Sequence, residues 1–225
     1  MKNIIVTGES KGLGKNICKT LRENNFNVIG ISRTGSEIQF DFNKSDEIKK
    51  LYFDQIKNLG PIHGFVNNAA MAYDDIITNL NHEMLLQMYR VNVLSPMMLT
   101  KYVLRDMILN KTKGSIVHVS SISVHTGYKG LAMYASTKGS LEAFSKNTAR
   151  EWGKLGIRSN VVCPGFMDTD MSSGLSDEQR NKIFKRNSKQ KELLVDEVSS
   201  VVNFLLGEKS EGITGQNIHV DNGTI

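Results

Sequence analysis

A chain of 225 residues, 40% hydrophobic and 23% charged with only three prolines, is long enough for one sizeable domain with its own core. No apolar run approaches the ~18 residues that span a bilayer, which argues against an integral membrane protein. The net charge of +5 is a mild excess without the aromatic interleaving of a nucleic-acid surface, and the five histidines lack metal-ligand spacing, so no catalytic metal site is expected.

The chain opens directly on apolar residues, without the charged, apolar and small-residue regions of a signal peptide. Cys18 and Cys163 lie far apart with no pairing pattern, which suits a reducing, cytoplasmic setting. Asn3–Thr7 is a short run rich in β-branched residues and reads as a buried parallel strand. It leads into Thr7-Gly8-Glu9-Ser10-Lys11-Gly12-Leu13-Gly14, and a helix is predicted over Gly12–Asn25. Strand, glycine turn and helix in that order form a phosphate cradle: glycine admits close backbone approach, and the helix start offers free N–H groups. The spacing Gly-x-x-x-Gly-x-Gly is also compatible with a plain tight turn.

Asn27–Ile31 is the second predicted strand. An acid at its end would hold a ribose 2′-hydroxyl and repel a 2′-phosphate. Ser32 and Arg33 stand there instead, and Lys11 adds a second cation. If a dinucleotide binds, NADP(H) is therefore the expected form, the alternative being two solvated surface cations. Only about six residues then separate Ile31 from a third strand at Ile38–Phe40, fewer than a helical crossover needs. Either a short loop replaces the helix or that strand is irregular. Asp41-Phe42 precedes a helix from Ser45 to about Asn58, with Ser45 as its N-cap.

Ile62–Val66 is the fourth strand, ending in Asn67-Asn68-Ala69-Ala70, residues that suit a ligand crevice or a simple turn. A long helical region follows over about Asn81–Leu109, bent at Pro96 and containing Asn92. A mid-helix asparagine is either simply exposed or opens the helix around a water. Gly114–Val119 is the fifth strand, ending at Ser120-Ser121.

The next helix carries Tyr134 and Lys138, four residues apart and so on one face, and runs to about Trp152. A phenol beside an ammonium has its phenolate favoured, so Lys138 is expected to lower the pKa of Tyr134 toward neutrality, where a general acid works best. Ser121, brought to the same point, would donate a hydrogen bond to a carbonyl oxygen. Tyr-x-x-x-Lys alone is a common coincidence, and its meaning depends on the rest of the chain. Arg158–Val162 is the sixth strand, before Cys163-Pro164-Gly165. Residues 166–190 read as a mobile lid with a short helix near Asp177–Arg186. The basic stretch Lys182–Lys191 is either a solvated helix face or a surface for an acidic partner. A last helix runs from Val195 or Asp196 to about Leu206, and a last strand covers Asn217–Val220.

Together these motifs resemble the short-chain dehydrogenase/reductase family, in the family's order and over essentially the whole chain: Thr7-Gly8 through Gly14, Asn67-Asn68-Ala69, Asn92, Ser121, Tyr134 with Lys138, and Pro164-Gly165. Within the family the chain is most similar to 3-oxoacyl-acyl carrier protein reductases, through Pro164–Met171, Leu175–Arg180 and Ile213–Gln216. It departs in its short link between the second and third strands and in Ala70, where the family has glycine. Asp221-Asn222-Gly223 likewise replaces Asp-Gly-Gly, and no Pro-Leu-Gly-Arg element follows the lid.

The resemblance implies an α/β fold: a single-domain, Rossmann-like, doubly wound parallel sheet of about seven strands with helices on both faces. It implies NADPH-dependent reduction of a carbonyl, with Tyr134 as proton donor and Ser121 orienting the substrate oxygen. Lys138 would tune the phenol and hold the nicotinamide ribose, and Asn92 would hold a relay water. Cofactor contacts are expected at Gly8, Ser10, Lys11, Gly12, Leu13, Gly14, Arg33, Asp41, Phe42, Asn68, Ala69, Pro164, Gly165, Met167 and Thr169, besides Tyr134 and Lys138. A 3-oxoacyl thioester is the first substrate reading, and a small or sugar-like carbonyl the second. A regulatory dinucleotide binder is the third, disfavoured by the intact catalytic set. Acyl carrier protein is an expected partner, docking near the site mouth on cations such as Lys111, Lys113 and Lys154, and a homotetramer or dimer is expected.

Overall fold

The computed structural model describes residues 1–168 and 176–225. Seven strands form one parallel sheet in the order β3-β2-β1-β4-β5-β6-β7. They are β1 (Lys2–Thr7), β2 (Phe26–Ser32), β3 (Ile38–Gln39), β4 (Ile62–Asn67), β5 (Ser115–Val119), β6 (Arg158–Pro164) and β7 (Asn217–Val220). Successive side chains of a strand point to opposite faces, and along the central strands both faces are covered, so apolar residues dominate them while buried polar residues such as Ser115, His118 and Asn160 find places within the sheet. On β1, Ile5 packs into one core while Ile4 and Val6 pack into the other. The Ile5 side is closed by a helical run over 45–59 and by α4 (Ser95–Leu109). The Ile4 side is closed by α1 (Gly12–Glu23) and α8 (Val195–Leu206). The strand order reverses between β1 and β4, which places a crevice at their carboxyl ends.

The short link after β2 is a loop. β3 pairs only Ile38 and Gln39 with Ile31 and Ser32, the last two residues of β2, so the chain turns back over two residues rather than a whole strand. Ser32 Oγ donates to Thr34 O at 2.6 Å and also meets the Ser36 hydroxyl, and Gly35 takes φ +74°. The 45–59 run passes through 3-10, α (α2, Ile48–Leu51), π and 3-10 turns. Its N-cap is Lys44, and Ser45 lies inside the first turn without a capping bond, contrary to expectation.

The long helical region is α3 (His82–Tyr89), a π turn at Arg90–Leu94, and then α4. Asn81 caps α3 through Met84 N at 3.0 Å. Pro96 falls in the first turn of α4, where its missing N–H is least costly, and the irregularity is the π turn just before it. A four-residue helix, α5 (Ser123–Thr126), and α6 (Ala132–Trp152) follow β5. The helix expected near 177–186, α7 (Asp177–Phe184), starts from a capping box of Ser176 and Gln179.

Candidate active site

The glycine turn is held open by its neighbours. Thr7 Oγ1 accepts from the backbone N–H of both Asn68 and Ala69 at 3.0 Å. Asn68 Nδ2 donates back to Thr7 O at 2.9 Å and Gly8 O at 3.3 Å. This pins the end of β1 to the end of β4. Gly8 and Gly12 take φ +76° and +53°, a region that favours glycine. A Cβ at Gly14 would fall 2.0 Å from Gly8 O, so the cradle exists only without that side chain. Lys11, the N-cap of α1, makes no side-chain capping bond, which leaves the first-turn N–H groups to a ligand. These features fit a dinucleotide pyrophosphate. Gly14→Ala is expected to weaken NADPH by roughly one to two decades, since such overpacking costs ~1–3 kcal/mol. A fluorescence titration giving an unchanged Kd would refute the cradle.

The adenine side is compact. The position of a Cβ on Gly35 lies 3.7 Å from Ser10 Cβ, so the β2–β3 loop sits against the glycine turn, with Arg33 exposed in that loop. Leu13 is buried in the core and offers a ligand only its backbone. Phe42 is likewise buried in the core. Its ring packs on Phe40 and its carbonyl accepts from Ser95 Oγ at 2.5 Å, while Asp41 is exposed. On the nicotinamide side, Pro164 O accepts from Ile122 N, and Gly165 N donates to Val220 O at 2.8 Å. Met167 packs at the edge of the α1–α8 core. Thr169 and the rest of 169–175, part of the expected lid, lie outside the described residues.

The catalytic candidates gather where β4, β5 and β6 end. Lys138 lies one turn after Tyr134 on α6, with Nζ 5.7 Å from the tyrosine ring centroid and donating to Val119 O at 2.8 Å. Lys138 is only 2% exposed, and burial lowers its pKa to about 8. The expected effect on Tyr134 is reversed. Burial, and then the charge of Asp74, push the phenol above its ordinary value. The ammonium itself lies over the ring face. Asp74 follows the β4 crevice and carried no sequence signal as a partner of Tyr134.

Ser121 Oγ accepts from Ser123 N at 3.2 Å at the start of α5. Asn92 is fully buried in the π turn. Its Oδ1 accepts from Met71 N, and its Nδ2 donates to Met71 O and Thr137 Oγ1, all within 3.0 Å. It thus clamps the loop after β4 to α6, three residues from Tyr134. His118, behind the site, is kept neutral by burial and Lys138, with its pKa lowered to about 3.

A parallel sheet with a phosphate cradle at its switch point and a tyrosine–lysine pair at its carboxyl edge defines a dinucleotide-dependent oxidoreductase. The chain belongs to the short-chain dehydrogenase/reductase family: a family model described as Enoyl-(Acyl carrier protein) reductase matches residues 8–224. The 3-oxoacyl-[acyl-carrier-protein] reductase FabG of Buchnera aphidicola is 32% identical over 99% of this chain and 96% of its own. Carbonyl reductase family member 4 of Xenopus laevis is 33% identical over 97% of this chain and 95% of its own. Among solved structures, ElxO with NADP bound aligns with TM-score 0.91 and 27% identity over 99% of this chain and 98% of its own. Actinorhodin polyketide ketoreductase with NADPH aligns with TM-score 0.90 and 25% identity over 99% of this chain and 97% of its own.

Proposed function

We propose that this protein is an NADP(H)-dependent ketoreductase whose substrate is a 3-oxoacyl thioester. The observation that carries the reading is the half-buried Tyr134 beside the buried Lys138 on α6, one crevice away from a cradle that only glycine can form. When bound, the nicotinamide supplies the hydride. Tyr134, held protonated by burial and Asp74, gives the proton to the developing oxygen anion. Ser121, at the end of β5, orients the carbonyl oxygen. Lys138, charged below about pH 8, places a positive charge beside the phenol for the moment it becomes phenolate. Asn92 keeps α6 and the loop after β4 in register, and a water passing the proton on through Lys138 is part of the proposal. FabG relatives supply the thioester substrate class, and NADP-bound neighbours support the cofactor.

The cofactor form rests on Arg33 and Lys11. A charge-assisted hydrogen bond is worth ~1.5–3 kcal/mol. Arg33→Ala is therefore expected to weaken NADPH by roughly one to two decades and NADH hardly at all. Equal losses in paired titrations would remove Arg33 from the 2′-phosphate.

An acidic carrier protein is the proposed donor of the thioester, but the expected docking cations are on the wrong edge. Lys111 and Lys113 precede β5 and Lys154 precedes β6, so they lie at amino ends of strands, opposite the site. Lys113 also packs beside Gly156. Arg186, by contrast, lies over the Tyr128 ring in the loop that leads to Tyr134, and it continues the basic stretch after α7. That surface is the proposed dock. A homotetramer or dimer in the cytoplasm completes the reading; among the described residues no helix is long and apolar enough to cross a membrane. The deciding experiment is NADPH oxidation with acetoacetyl thioesters against a panel of ketones and keto-sugars. Turnover confined to the keto-sugars would overturn the thioester assignment.

A further inference from the structure

His125, Cys163 and His219 each present one donor atom, and the three atoms lie within 4.8 Å of one another. They come from α5, β6 and β7. The register of the sheet sets Cys163 directly beside His219, and the two histidine rings meet edge to face with centroids 4.8 Å apart. Below them lies Glu142 on α6. Its carboxylate accepts from Ser120 Oγ at 2.6 Å, Asn217 Nδ2 at 2.7 Å and Cys163 Sγ at 3.5 Å, and it hydrogen-bonds His125 Nε2 at 3.1 Å. Asn217 and His219 are two residues apart on β7, so the same face of the strand turns toward Glu142. Nothing in the proposed reaction uses these four residues.

We propose that His125, Cys163 and His219 bind one transition-metal cation of the zinc class, with Glu142 holding His125 in place. The donor chemistry is that of zinc: two imidazoles and one sulfur. Bonds of ~2.0–2.3 Å place tetrahedral donors roughly 3.3–3.8 Å apart, so closure asks for about an ångström of movement. The two histidines are exposed enough to turn, while Cys163 is buried and fixed. A carboxylate that orients a ligating histidine is the usual outer shell of such sites. Binding forms the sulfur–metal bond as the Cys163 thiol proton leaves to solvent, and thiolate plus Glu142 then balance the dication. The site would tie α5, β6 and β7 together directly behind Pro164-Gly165, one turn beyond Lys138.

The test is a zinc titration of the tag-free, full-length protein against a chromophoric chelator, repeated with cobalt. One equivalent should bind, with about one proton released, and cobalt should show a thiolate charge-transfer band. His219→Ala, at an exposed edge-strand position, should keep the circular dichroism spectrum and lose at least ~tenfold in affinity. Cys163→Ser should lose the cobalt band. No stoichiometric uptake of micromolar zinc, unchanged affinity in His219→Ala, or cobalt bound without a sulfur band would each overturn the site.

Discussion

Tyr134→Phe is expected to lower ketone reduction by at least ~10²–10⁴-fold while leaving NADPH binding nearly intact. The ring stays, so the packing of α6 against the crevice is kept, and only the proton donor is lost. The direction of the pKa shift sharpens this expectation. Burial first, and Asp74 second, hold the phenol above its ordinary range, so the acid needed for reduction is fully present at neutral pH. Alcohol oxidation needs the phenolate, which forms only in the alkaline range. Oxidation should therefore climb with pH where tyrosine ionisation does not limit reduction. Asp74→Asn removes a charge that opposes the phenolate, and the climb should begin at lower pH. Rate profiles in both directions, with wild type and both variants, check this. Reduction by Tyr134→Phe above a few per cent of wild type would remove Tyr134 from the chemistry, and an unmoved profile in Asp74→Asn would remove Asp74.

Which features were legible in the sequence follows from how local their causes are. The central strands were readable because a parallel sheet covered on both faces makes them short runs dominated by apolar residues, and β7 was bounded to the residue. The glycine turn was readable because Gly8, Gly12 and Gly14 answer to backbone geometry within a few residues. The lock that holds it open was not. Thr7 and Asn68 are about sixty residues apart, and their bonds exist only once β1 and β4 are neighbours.

The same reason explains the reversed shift at Tyr134. Four-residue spacing on a helix brings Lys138 near, but burial and Asp74 come from the folded surroundings, and they win. The lysines expected to dock a carrier lie at the amino ends of β5 and β6, because charge along a sequence does not say which edge of the sheet a loop occupies. The π turn around Asn92 is held by bonds to Met71 and Thr137 on two other segments, so the sequence could point to a disturbed helix at Asn92 or Pro96 but not say which. The His125–Cys163–His219 cluster likewise has no spacing signal, because its members meet only through the β6–β7 register and α5.

Lys138→Met is expected to cost ~10²–10³-fold in turnover, the scale of losing one preorganised charge or donor. Its effect on stability should run the other way or vanish. Lys138 is almost wholly buried, and its folded pKa is about 8 against the ordinary 10.5. Between those values the unfolded chain holds more protons than the folded one, so stability rises as pH rises through that window. Below about pH 8 both states are protonated and the full burial penalty, roughly 3 kcal/mol, opposes folding. Methionine removes that penalty but leaves Val119 O without its donor, at ~1–3 kcal/mol. The two terms nearly cancel, so urea denaturation at neutral pH should give the variant equal or slightly greater stability. Its stability should also lose the rise with pH through the alkaline window. A loss of several kcal/mol at neutral pH would show instead that the buried ammonium is a net support of the fold. Near-equality, together with the lost turnover, would mean that the charge is kept for the reaction and that the fold bears its cost.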